Sequence, residues 1–255
     1  MNSSSTRTTL FGIFVLARRK LTAAQVITLA RPLGISATNV KSHLTRMVAE
    51  GALERTGPKR AARYGPSPGQ AAVVEGIEAR LESDPQEPWD GEWIFLALKM
   101  PGPRGERDRL RASLWFDGFR PWDGSTFVRP AWPKAWAQAR ARWYLAQIPG
   151  LAAAGPLLGD VPVSRLYDLD TLDREARKLA RRIRAKRAPT ISPARAFAAR
   201  LEIGGLVARL VGHDPRLPQE LWERRIGMRE LSRAFAGFEK RAAPPARRFL
   251  ETVLG

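Results

Sequence analysis

Val40, Leu44, Met47 and Val48 follow the spacing of one buried helix face within ISATNVKSHLTRMVAEGAL, residues 35–53. The other positions, Thr38, Asn39, Lys41, Ser42, Thr45 and Arg46, are short hydrogen-bonding or cationic residues, and no carboxylate appears before Glu50. A solvated helix face usually mixes both signs of charge, so this one is suited to meet something negative. Upstream, Thr8–Ala17 reads as a short apolar helix. Thr22 caps a second helix that holds Ala24, Val26, Ile27 and Leu29 and ends near Pro32 and Gly34. Ser36 is the expected N-cap of the third helix and Gly51 its stop. ALERTG and ARYGPS then read as two short β segments around the basic loop TGPKRA. Three helices followed by a two-stranded ribbon with a basic tip make the order of a winged helix-turn-helix over residues 1–70.

Residues 71–88 read as a linker helix, AAVVEGIEARLES, running into DPQEPWD. A second pattern begins at Trp89 and extends to residue 168. WIFLALKM is a strand, and ERDRLRASLWFDGF an amphipathic helix with Leu110, Leu114 and Trp115 on one face. STFVRPAW is a second strand, PKAWAQARARWYLAQIPG holds a helix, and PLLGDVPVSRLYDL is expected to supply the closing strand. This order is that of a β-α-β-β-α-β, ferredoxin-like domain with one strand indistinct. Residues 169–255 read as helical. DLDTLDREARKLARRIRAKR carries acids early and bases late, in line with the helix dipole. SPARAFAARLEIGGLVARLVG starts at Ser192 and Pro193. HDPRLPQELW is a turn entering a short helix, and ELSRAFAGFEKRA and PPARRFLETVL read as two closing helices. The expected fold class is therefore α+β, with a winged helix-turn-helix, a ferredoxin-like centre and a helical C-terminal domain.

Charge sharpens this picture. The 255-residue chain has a net charge of +18. Residues 1–70 hold 11 Lys/Arg against 2 Asp/Glu, residues 71–150 hold 11 of each, and residues 151–255 hold 21 against 12. Two cationic blocks flank a neutral middle, and such a balance points to an anionic partner, most often nucleic acid. There is no cysteine, which excludes disulfides, thiolate nucleophiles and cysteine-based metal sites. Histidines number two, His43 and His213, with no HExxH pair; no metal and no cofactor is expected. No run of about 18 apolar residues is present, so no membrane span is expected. The run LFGIFVLA is short and passes directly into RRK, unlike a secretory signal, and the chain reads as a bacterial cytoplasmic protein.

The candidate chemistry lies in the N-terminal block. A recognition helix needs an apolar back and a front of short polar and cationic side chains that enter a major groove about 12 Å wide. Ser36, Thr38, Asn39, Lys41, Ser42, Thr45 and Arg46 supply that front. Asn39 suits adenine and Arg46 suits guanine, while Lys59, Arg60 and Arg63 on the ribbon suit phosphates or the minor groove. His43 reads as a packed or half-exposed helix residue. The run REARKLARRIRAKR, residues 174–187, has two readings, a nucleic-acid surface or a solvated face beside the apolar row Leu172, Ala176, Leu179 and Ile183.

The ordered set FGIFVL, LGISATNVKSHLTRMVAEGALE, RYGPSPGQ, WDGEWIFLAL, RDRLRASLWFDGF, STFVRPAW, DPRLPQELW and RRFLE resembles the PaaX family of bacterial transcription regulators over nearly the whole chain. The resemblance implies a homodimeric repressor of a catabolic operon that binds operator DNA through its winged helix. It also implies release by an aryl-CoA thioester, typically phenylacetyl-CoA, in phenylacetate catabolism. Such a protein acts on double-stranded DNA at the bacterial nucleoid. Gly212 and His213 stand directly before Asp214, and Trp222 directly follows Leu221; both depart from the family pattern. If this region shapes the effector pocket, the ligand differs from phenylacetyl-CoA. Asp214 and Pro215 themselves read as turn-forming residues.

No catalytic residue is expected. The competing enzymatic reading is a metal-dependent nuclease in the central domain. It would need Asp90, Asp108, Asp117 and Asp123 to converge on a divalent ion.

Overall fold

The computed structural model describes residues 3–58, 61–82, 87–156, 163–185, 192–222 and 226–255. Its first helices begin where the capping chemistry is encoded. Helix α1 spans Ser3–Ala17, the two-residue strand β1 Leu21–Thr22 and helix α2 Ala23–Ala30. Thr22 and Gln25 form a reciprocal capping box at the start of α2. Helix α3 spans Ala37–Ala49, followed by β2 (Leu53–Thr56), β3 (Arg63–Pro66) and helix α4 (Pro68–Glu82). The three strands form an antiparallel sheet in the order β1-β3-β2.

The second sheet is assembled from β4 (Glu92–Leu98), β5 (Arg120–Asp123), β6 (Thr126–Pro130) and β7 (Gly150–Pro156). Helix α5 (Arg104–Phe116) joins β4 to β5, and α6 (Lys134–Leu145) joins β6 to β7. The order is β5-β6-β4-β7, antiparallel throughout. Helices α7 (Val163–Leu166), α8 (Leu169–Ala185), α9 (Pro193–His213) and α10 (Ile226–Leu254) complete the described elements.

The chain divides into two compact units, each discontinuous in sequence. One comprises Met1–Glu82, Lys178–Arg209 and Glu230–Gly255; the other comprises Ser83–Arg177 and Leu210–Arg229. In the first, Leu10, Ile13 and Phe14 of α1 join Val26 and Leu29 of α2 and Val40, Leu44 and Met47 of α3 in one core. Phe197 and Leu201 of α9 and Ala246 and Leu250 of α10 belong to the same core. Arg200 and Glu239 clamp α9 to α10 at 2.5 Å.

In the second unit, Ile94, Leu96 and Leu98 alternate along β4 and face Leu110 and Leu114 of α5 and Ala137, Ala141 and Tyr144 of α6. The end of α5 is held by buried arginines. Arg120 donates to the Trp115 and Phe119 carbonyls at 3.0 Å, and Arg129 donates to the Asp117 and Trp132 carbonyls. Gly118, with φ 79°, closes this end, and a Cβ there would lie 2.8 Å from the Pro215 carbonyl oxygen. Only glycine satisfies both the left-handed backbone and the close approach. The Tyr167 hydroxyl donates to the Gly118 carbonyl; burial pushes its pKa up to about 12, so it remains a donor. Asp214 accepts from the Arg216 amide at 2.8 Å, the turn-forming role expected of it.

Three readings of the sequence are corrected, and the strand left indistinct is located. The closing strand was expected in PLLGDVPVSRLYDL but is Gly150–Pro156, and Val163–Leu166 is helical; residues 157–162 lie outside the described residues. GLAAAGP has weak strand propensity, yet it pairs with β4 along its whole length, and that pairing overrides the local preference. The indistinct strand is β5, whose four residues include Pro121 and a bulge. Trp115 is 44% exposed rather than buried, lying over the Arg120 guanidinium at 3.6 Å. The two closing helices are one, running through Pro244 and Pro245 because Phe238, Ala242, Ala246 and Leu250 are buried on both sides of the break that proline would otherwise impose.

Phe197 is fully buried and packs on Phe249 at 5.3 Å, whereas all eight tryptophans lie in the second unit. Phe197→Ala is expected to cost about 3–5 kcal/mol. In urea titrations, the transition followed by far-UV circular dichroism should move to lower denaturant further than the one followed by tryptophan fluorescence.

Candidate nucleic-acid interface

The presentation of α3 begins one turn before it. Gly34 takes φ 72° at the end of a short 3-10 turn, which reverses the chain after α2. Ile35 is buried as an anchor, and the Ser36 side chain accepts from the Asn39 amide at 3.3 Å, closing the first turn of α3. Val40, Leu44 and Met47 are buried in the first unit's core. Thr38, Ser42 and Thr45 project away from that core, with Asn39 and Arg46 along one flank and Lys41 along the other; all six are exposed. The Thr45 hydroxyl donates to the Lys41 carbonyl at 3.1 Å. His43 is half-buried, and its Nδ1 is buried without a hydrogen-bond partner.

The cations of residues 1–70 fall into two groups. Arg7 pairs with Glu50 at 2.8 Å, Arg18 with Glu78 at 3.1 Å and Lys20 with Glu54 at 2.6 Å. Arg19 donates to the Leu254 carbonyl at 2.9 Å. These four hold parts of the first unit together. Among the described residues, Arg31, Lys41, Arg46, Arg55 and Arg63 have no such partner and are exposed. The acids that would have balanced the α3 face are thus engaged elsewhere: Glu50 sits at the far end of α3, bound to Arg7.

Arg63 lies at the loop end of the β2–β3 hairpin, opposite Thr56 on one side and Thr22 on the other. Lys59 and Arg60 lie outside the described residues. Sequence reasoning missed Arg55, an exposed cation on β2 opposite Tyr64. Strand alternation places Arg55 on the same side of β2 as the buried Leu53, yet Arg55 itself is exposed. The basic run of α8 resolves toward structure. Leu172, Ala176, Leu179 and Ile183 are buried, while Arg177, Arg182 and Arg184 pair with Asp173, Glu202 and Glu230. Residues 186–187 of that run lie outside the described residues.

The four carboxylates of the nuclease reading are dispersed. Asp90 pairs with Lys134 at 2.6 Å; that hydrogen bond, and next the Glu92 amide, hold its pKa below the ordinary carboxylate range. Asp117 is buried and accepts from Arg140 at 2.5 Å and from the Tyr144 hydroxyl at 2.8 Å. Burial first, and then the Asp117 charge, pushes the Tyr144 pKa upward. Asp108 faces Arg104 on the exposed side of α5, and Asp123 pairs with Thr126 in the β5–β6 hairpin. Among the described residues, no three His, Cys, Asp or Glu side chains form a group suited to a metal ion. Nor, among the described residues, is any helix long and apolar enough to cross a membrane.

The profile described as "PaaX-like protein" matches residues 2–67, and that described as "PaaX-like protein C-terminal domain" matches residues 167–252. No curated protein matches the chain. Among solved structures, the uncharacterized protein Rv0674 from Mycobacterium tuberculosis shares the fold. The likeness covers 99% of this chain and 98% of that one at 21% sequence identity, with a TM-score of 0.52.

Capping and surface positions on α3 are separable by stability alone. Ser36→Ala should destabilise the first unit by about 0.5–2 kcal/mol through the lost cap. Lys41→Ala and Arg46→Ala, exposed and unpaired, should each stay within about 0.5 kcal/mol of the parent in the same denaturant titration.

Proposed function

Since the chain belongs to the PaaX family of transcription regulators, we propose that it is a sequence-specific DNA-binding repressor of a catabolic operon. The observation that carries this reading is the sorting of N-terminal cations. Those that stabilise the fold are ion-paired or hydrogen-bonded, whereas Lys41 and Arg46 on α3 and Arg55 and Arg63 on the hairpin are left outward without carboxylates. A surface kept cationic at the expense of local pairing is what a phosphate backbone requires.

In this reading α1–α3 and the β2–β3 hairpin are a winged helix-turn-helix, with α3 in the major groove and the hairpin over the adjoining backbone. Thr38, Asn39, Ser42, Thr45 and Arg46 read base edges. Lys41, Lys59, Arg60 and Arg63, joined by Arg55, hold phosphates, and Ser36 sets the start of the helix. The strand order β5-β6-β4-β7, with a helix on each crossover, supports a ferredoxin-like reading of the centre. A homodimer would present two α3 helices to half-sites one helical turn apart, or a multiple of it. The effector is an aryl-CoA thioester such as phenylacetyl-CoA, whose binding releases the operator. The site of action is the nucleoid in the bacterial cytoplasm.

Genome-wide mapping of bound DNA identifies the operator, and fluorescence anisotropy on that duplex tests the contacts. Arg46→Ala and Asn39→Ala should each weaken operator binding by about 1–3 kcal/mol and relax preference at one base pair. Arg63→Ala should weaken all duplexes alike and flatten the plot of log affinity against log salt by about one unit. Equal affinity for operator and random duplex would refute the proposal.

A further inference from the structure

Helix α10 separates its charges by face. Two of its carboxylates bind neighbouring helices: Glu230 pairs with Arg184 of α8 and Glu239 with Arg200 of α9. Its cations do the opposite. Arg233, Lys240, Arg241, Arg247 and Arg248 are exposed, and among the described residues none has an ion-pair partner. Arg233, Lys240 and Arg247 recur every seven residues, so they form one row about 21 Å long. Arg241 and Arg248 repeat the same interval in an adjoining row. Leu231, Phe238, Ala242 and Ala246 are buried on the other side of the helix. A solvated helix face usually interleaves both signs. Here Glu251 is the one outward acid of α10, a turn beyond Arg247.

The end of this helix abuts the base of the β2–β3 hairpin. The Leu254 carbonyl accepts from Arg19 at 2.9 Å, which also neutralises the negative end of the helix dipole. The next residue, Lys20, packs on Gly65 of β3, where an added Cβ would lie 2.8 Å from its Cγ. Gly65 is two residues beyond Arg63, and its neighbour Tyr64 stands opposite Arg55. Arg247 and Arg248 precede Leu254 by six or seven residues, about 10 Å along the helix. The cationic rows therefore start close to the two hairpin cations, and all of these residues belong to the first compact unit.

We propose that the outer face of α10 is a second DNA contact, separate from α3 and the hairpin. Arg233, Lys240, Arg241, Arg247 and Arg248 hold the phosphate backbone of the duplex that flanks the positions read by α3. This rests on the DNA-binding reading above, because the hairpin brings that duplex to the near end of the rows. The spacing suits a linear polyanion: a cation recurs about every 10 Å along a line, and a duplex offers one negative charge per about 1.7 Å of its axis. The outward positions between the cations include Ala236 and Pro244. Neither can stack on an unpaired base or read a base edge, so the contact is with double-stranded backbone and carries no sequence preference. Nor do these positions supply the large apolar side chains by which a basic helix enters a lipid surface. On this division α3 selects the site, and α10 lengthens the stretch of DNA that is held.

The test is fluorescence anisotropy with the full chain, on the mapped operator carrying one helical turn of natural flank at each end and on a random duplex of equal length. The double variant Lys240→Gln with Arg247→Gln should lose affinity for both duplexes by the same factor. It should also flatten the plot of log affinity against log salt by about two units per bound chain. Having lost no partner, it should keep the parent's urea midpoint. Arg109→Gln with Arg111→Gln on α5 removes the same charge from exposed, unpaired positions in the other unit and should keep the parent's slope. Glu251→Gln should bind both duplexes more tightly than the parent. Trimming the flanks stepwise should bring the α10 variant and the parent to equal affinity while preference for the operator persists. A parent that binds operator and random duplex alike would sink the operator reading, and the slopes on the random duplex would still test α10. A parent-like slope in the α10 variant, an equal loss in the α5 variant, or a deficit that survives trimming would each overturn the proposal.

Discussion

Helix α1 turns Leu10, Ile13 and Phe14 inward at helical spacing, and the core of the first unit is arranged around that stripe. All three are essentially inaccessible. They share one core with residues of α2 and α3 and with Phe197 and Leu201 of α9 and Ala246 and Leu250 of α10. Burying a side chain of this size contributes about 1.5–3 kcal/mol, so α1 without its second layer would leave several such contributions unmade. Helix α3 is therefore supported by a core that includes residues of α9 and α10. This also explains how α10 runs through Pro244 and Pro245: packing on both sides of the pair outweighs the missing backbone hydrogen bonds.

Electrostatics follows the same division between holding and presenting. Cations near the first core have assigned partners: Arg7 on Glu50, Lys20 on Glu54, Arg200 on Glu239. In the second unit the fully buried Arg120 and Arg129 serve carbonyl groups at the end of α5, where the helix dipole is negative. Arg140 neutralises the buried Asp117. Net charge is thus a poor guide to binding surface in this chain; what separates a candidate contact from a structural cation is whether a partner stands beside it.

The sequence made the local elements legible wherever a rule of short range decides them. Thr22 and Ser36 as caps, Gly34 and Gly51 at turns, and Val40, Leu44 and Met47 as a buried row all follow from residues within one or two helical turns. The face of α3 was legible for the same reason. What was not legible depends on partners far along the chain. β7 is a strand because β4 accepts it in register, some fifty residues away. Trp115 is turned out because Arg120 occupies the space beside its ring. The start of α10 is held by Asp173, whose carboxylate accepts from the Gly227 amide, 54 residues on. Arg55 escaped notice because a strand of four residues gives alternation too little length to register.

The shared core of α1, α9 and α10 also fixes an order of events during synthesis. Helix α1 leaves the ribosome well before α9 and α10, whose residues share its core. Until Ala246 and Leu250 have emerged, the core to which Leu10, Phe14 and the buried row of α3 belong is incomplete. A nascent chain or a product of early termination therefore carries α3 in its sequence without the completed core beneath it. The surface of α3 is fully supported only in chains whose translation has run through Leu250.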